Sequence, residues 1–168
     1  MPEAIKAYVR FVDRMNYWVG RFSMYLLFVL MAILLWSSLT NITRMNSIWT
    51  LEMAQFVMVA YFFLGGPYSL QLDANVRMDL LYHRWSARKR AWVDAFSVFA
   101  LLFYLGVLLY GAVESTVYSI EYGERSATAW RPYIAPIKIV TIIGTFLMIL
   151  QATAFFFRDV ARVRGDEI

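Results

Sequence analysis

The chain has no cysteine and a single histidine, His83. The first absence removes disulfide frameworks and thiolate chemistry, and the second rules out a haem held between two histidines. Charge is scarce as well: charged residues make up 17% of the 168 positions, with a net charge of only +4. No Walker A loop, GxSxG elbow, HExxH pair or dinucleotide fingerprint occurs, so the usual enzyme signatures are missing. What remains is apolar. Hydrophobic residues reach 61% and aromatics 18%, with mean hydropathy +0.54. A soluble domain is about 45–50% apolar, so this composition needs a different solvent. The excess also falls in long runs, which marks a membrane protein.

Four runs meet the length of roughly 20 residues that a ~30 Å hydrocarbon core requires. They lie near 17–41, 50–71, 92–119 and 133–157, within one domain over 1–168. The first apolar run follows a charged lead and is too long for a signal-peptide core, so no cleavable signal is expected. Lysine and arginine in the flanks set orientation. The N-terminal lead, the 72–91 connection and the tail carry eleven, against three (Arg44, Arg125, Arg131) on the other side. The reading is an all-α, four-span inner-membrane protein with both termini cytoplasmic.

The basic stretch HRWSARKR (83–90) would suggest nucleic acid in a soluble protein. Between two spans it reads otherwise. If 78–92 is helical, Met78, Leu81, Tyr82, Trp85 and Trp92 share a narrow arc, with Lys89 on that arc where its stem can snorkel. Such a helix lies in the interface, its aromatic rings among lipid headgroups and its cations toward anionic lipid. The lead repeats the pattern: Ile5, Tyr8, Val9, Val12 and Val19 share one face, Lys6, Arg10 and Asp13 another. Membrane lipid is therefore an expected partner and nucleic acid is not.

Charges within spans flag function. Glu52 opens the second span, either as an acid favoured by the helix dipole and paired with Arg44, or as a contact to a partner subunit. Glu114 and Lys138 sit at similar depth in adjacent antiparallel spans, and an intramembrane pair between them is expected; a partner contact and a transport role are the other readings. Asp94 is a further N-terminal acid. Gln151, deep in the fourth span, needs a partner across helices. Hydroxyls and amides at 37–41 and 115–119 can bond across helices or to water. Gly65, Gly66 and Pro67 predict a kink with close packing late in the second span. Gly106 and Gly111 are not at GxxxG spacing. The paired broken helices and inverted halves of a complete secondary transporter are absent. The residues thus describe one subunit of something larger.

The order of features carries a family resemblance. A basic lead and first span precede W49-T-L-E52, F63-L-G65-G66, D73-A-N-V-R-M-D79 and W130-R-P-Y-I-A-P-I-K-I, followed by Gly144 and Gln151. This resembles the small membrane subunit of a tripartite ATP-independent periplasmic (TRAP) transporter over nearly the whole chain. Asn75 departs from the histidine that many relatives place before VRMD. The resemblance implies a periplasmic solute-binding protein that delivers an organic acid, often a carboxylate, to two membrane subunits. It implies a sodium gradient as driver, with sodium and substrate sites in the large, elevator-type subunit. This chain would then hold no catalytic, cofactor, metal or substrate residue and would anchor the fixed scaffold. Glu52, Gly65, Gly66, Pro67 and Gln151 are the expected subunit interface. A membrane anchor for a non-transport complex is the alternative. A small four-helix exporter is the weaker rival, because the first span lacks the buried acid it needs.

Overall fold

In the computed structural model, residues 3–43, 45, 47–72 and 87–164 are described. They form four helices: α1 (Glu3–Ile42), α2 (Thr50–Gln71), α3 (Ala87–Glu121) and α4 (Ala135–Arg164). Each contains a stretch long and apolar enough to cross a membrane. Among the described residues there is no strand, only an isolated bridge between Arg125 and Tyr133.

The second span matches its expected bounds; the others differ at their ends. The lead is not a separate interfacial helix. It is the start of α1, whose 40 residues extend ~60 Å at 1.5 Å per residue, about twice the hydrocarbon core. The reason lies in the register. Val9, Val12, Asn16, Gly20 and Ser23 recur every three or four residues and are all buried, so one inward stripe runs through both segments. Val9 and Val12 pack against Ala154 of α4, with Ile5, Tyr8, Leu150 and Phe157 around them. The lead's apolar face thus meets the chain's own last helix rather than lipid. Likewise, 87–92 of the expected interfacial helix form the first turns of α3, where no glycine or proline up to 105 breaks the helix. Lys89 and Trp92 fall on those turns. Met78, Leu81, Tyr82 and Trp85 lie outside the described residues.

Helix α4 is the hub, packing against α1, α2 and α3, while α1 also packs on α2. Its buried positions include Gly144, Thr145, Ala152 and Ala154, and small side chains let neighbouring backbones approach, which is how helices associate without a hydrophobic drive. Helix α3 packs chiefly on α4, and its other sides carry exposed Phe99, Phe103, Tyr110 and Val117.

Candidate functional site

Three constellations inside the bundle decide what this chain can do. The first joins α1 to α4. Gln151 is fully buried; its Oε1 accepts from Asn16 Nδ2 at 2.6 Å and its Nε2 donates to Asp13 Oδ1 at 3.1 Å. Arg158 forms an ion pair with the other Asp13 oxygen. Tyr8 and Thr153 hydroxyls meet at 2.8 Å beside this network. Gln151 therefore finds the cross-helix partner its depth demands, but within the chain. Its expected place on a subunit interface is corrected: no polar atom of Gln151 reaches the surface.

The second constellation is a seam of close backbone approaches. Pro67 lacks the N–H that would bond the Phe63 carbonyl four residues earlier. That carbonyl faces α4 at Gly144, where an added Cβ would sit 2.5 Å from the Phe63 oxygen. Gly20 of α1 lies so close to the Tyr68 side chain that a Cβ there would overlap it. A Cβ on Gly66 would reach 2.7 Å from the flexible Met148 methyl, and one on Gly65 only 3.8 Å from Ser23. The close packing expected here thus involves the chain's own helices. Pro67 is fully buried, which corrects its assignment to an outward subunit face, whereas Gly65 and Gly66 are half-buried. Gly20 escaped the sequence reading, although its place on the stripe of Val9, Val12 and Asn16 is the signal that could have found it.

The third constellation closes the opposite end of the bundle. Helix α3 ends in a Schellman motif: Gly123 takes φ 59°, Glu124 N–H bonds the Ser119 carbonyl at 3.0 Å, and Gly123 N–H bonds the Ile120 carbonyl at 3.4 Å. The turn delivers the Glu124 carboxylate to Lys138 Nζ at 2.8 Å, and the Ser119 hydroxyl bonds both charges. The bond from Lys138, aided by Ser119, holds the Glu124 carboxyl below its ordinary value. Lys138 also reaches the Ser115 carbonyl at 3.3 Å. This corrects the expected Glu114–Lys138 pair. Local chain reversal at Gly123 offers Lys138 a carboxylate on its own side of α3, whereas Glu114 projects away.

The loop after Glu124 folds back on itself. Ser126 N–H bonds the Pro132 carbonyl at 3.0 Å, and the Arg125 guanidinium lies 4.1 Å above the Tyr133 ring. Ser126 then donates to Glu52 Oε1 at 3.4 Å, while Glu52 Oε2 is buried with no partner among the described residues. Glu52 is only 6% exposed, so it lies under the loop instead of on an outer face. Nearby, the Ser37, Thr40, Ser47 and Thr50 hydroxyls form a chain of 3.2 Å contacts that ties α1 to the start of α2. Within the spans, Ser23, Thr116 and Thr145 donate to the carbonyl four residues back, satisfying hydroxyls that lipid cannot.

This arrangement is a tied bundle, with the polar groups of these constellations spent on internal cohesion. The family model for tripartite ATP-independent periplasmic transporters, DctQ component, matches residues 41–162, well over half of the chain. The chain belongs to the DctQ family. It is the small membrane component of a TRAP transporter, and the family is one of transporter components, not of enzymes. Neither curated proteins nor solved structures give a significant match. A DctQ component implies a tripartite complex with a large membrane subunit and a solute-binding protein, and its four apolar helices make it multi-pass in the inner membrane. The match begins at the last turn of α1. Asp13, Asn16 and Gly20, which lock α1 against α4 and α2, precede it.

Proposed function

We propose that this DctQ subunit is the fixed membrane partner in sodium-driven uptake of an organic acid. On this reading it packs against the scaffold of the large subunit, anchors that scaffold in the bilayer, and contributes no ligand to sodium or substrate. Both termini face the cytoplasm.

One observation carries the reading. The polar groups deepest in the described helices, Asn16 and Gln151 with Ser23 and Thr145, bond to other groups of the same chain. Asn16 and Gln151 fasten α1 to α4, while Ser23 and Thr145 are satisfied within their own helices. The outward surface is instead aromatic and aliphatic, with Trp18, Phe22, Phe28, Trp36, Phe103 and Tyr110 each more than half exposed. A large, rigid apolar surface suits a stator that must resist drag from a moving neighbour. The length of α1, beyond what a span needs, adds grip on the same element.

The test is uptake in proteoliposomes, normalised to intact complex, over a sodium titration. Gln151→Ala, Glu52→Ala and Glu114→Ala should change assembly but leave apparent sodium and substrate affinities in place. A shift of about tenfold in sodium dependence, ~1.4 kcal/mol, with complex retained, would show that this chain helps build the transport site.

A further inference from the structure

Glu114 is an exposed carboxylate on a membrane-spanning helix, and it bonds to no described residue. It lies seven residues before the end of α3, ~10 Å along the helix axis. Its direction follows from register. Leu105, Thr116 and Ser119 are the buried positions among the described side chains of α3 and define the side toward α4. Glu114 follows Leu105 by nine residues, about two and a half turns, and so points directly away from α4. Around it lie Phe103, Val107, Tyr110, Val117 and Tyr118, each more than half exposed.

A lone carboxylate on such a surface is costly in hydrocarbon, and intramembrane charges pair with something. Within the chain the natural candidate is taken, because Lys138 is held by Glu124, Ser119 and the Ser115 carbonyl. The flank of the same face is also recessed. Gly111 has nothing within 4 Å of where a Cβ would stand, and a groove of about 420 Å³ opens beside it between α3 and α4. Glu121, two turns further on the same side, adds a second exposed acid at the helix end. The face is therefore aromatic, recessed on one flank and anionic.

We infer that the α3 face centred on Glu114 is the docking surface for the large membrane subunit, with Glu114 receiving an arginine or lysine from it. The inference rests on the reading of this chain as the scaffold partner and adds which surface makes the contact and by what chemistry. A guanidinium or ammonium from a neighbouring helix satisfies the carboxylate, and an apolar side chain of that helix fills the groove beside Gly111.

The test uses the co-expressed complex. A photo-crosslinking phenylalanine analogue is placed at Tyr110 and, separately, at Val117, leaving Glu114 intact; Glu114→Gln is made alone. The expected result is an adduct with a large-subunit peptide containing arginine or lysine. Glu114→Gln should lower the large subunit retained in detergent by about tenfold, yet leave unfolding of the isolated small subunit unchanged, since the residue bonds none of the described residues. Lipid adducts alone at both positions, with the complex intact, overturn the inference and leave the scaffold reading standing. Full retention of the large subunit by Glu114→Gln overturns the charge pairing. If the wild-type subunits never co-purify, the scaffold reading fails and the docking surface falls with it.

Discussion

Replacing Gln151 with methionine keeps a long unbranched side chain and removes both of its hydrogen-bonding ends. Asn16 Nδ2 then loses its 2.6 Å acceptor at a fully buried position, where its own Oδ1 already lacks a partner among the described residues. Asp13 loses a 3.1 Å bond but keeps Arg158. A stranded buried donor costs roughly 1–3 kcal/mol. Interhelical hydrogen bonds in bilayers average about 0.6 and reach about 1.7 kcal/mol, because separated helices still find partners. Two lost bonds and one stranded amide therefore put the expected loss at about 2 kcal/mol. Adding Asn16→Leu removes the stranded amide and should recover about half of that, since removing both partners is far milder than removing one. The assay is denaturation of the purified subunit in mixed micelles, read as a double-mutant cycle. A coupling of about 1 kcal/mol is expected between contacting residues. Strict additivity, or a Gln151→Met loss under about 0.5 kcal/mol, would refute the argument that this network fastens α1 to α4.

Other outcomes follow from the same contacts. Gly144→Ala should destabilise the bundle by about 1–3 kcal/mol through overpacking against the Phe63 carbonyl, whereas Gly111→Ala, with open space around it, should be close to neutral; equal effects in the same micelle assay would contradict the seam. Glu124 lies outside the spans and its folded-state pKa is lowered from 4.5, chiefly by Lys138. A lowered value stabilises the loop above the unfolded pKa and loses that support as pH falls through the folded one. A spin label at Thr128→Cys should therefore gain mobility on acidification below the ordinary glutamate range, and Glu124→Gln should show the mobile spectrum already at neutral pH. Reporter fusions after residues 45 and 126 should read periplasmic and those after 87 and 168 cytoplasmic. A periplasmic signal at 87 would overturn the orientation drawn from the cation asymmetry.

The sequence by itself determined the solvent, the number of spans and the family. Those properties are written in local runs: long apolar stretches at Thr50–Gln71 and its counterparts, and an ordered set of short motifs around Trp49, Gly65 and Trp130. It also marked Gln151 and Glu114 as residues needing an explanation, because a polar position in a span is costly on its own terms. Partner choice was another matter. Whether Lys138 met Glu114 or Glu124 depended on a chain reversal at Gly123 and on which side of α3 faces α4, and spacing along a helix gives depth but not azimuth. Likewise, the lead's amphipathic face fits lipid and a neighbouring helix equally well by periodicity. Only the extension of α4 past the span, which brings Ala154 and Phe157 beside Val9 and Tyr8, decided that it is covered by protein. Gly20 became meaningful for the same reason. A glycine's role is set by what stands opposite it, here Tyr68, and that neighbour comes from another helix.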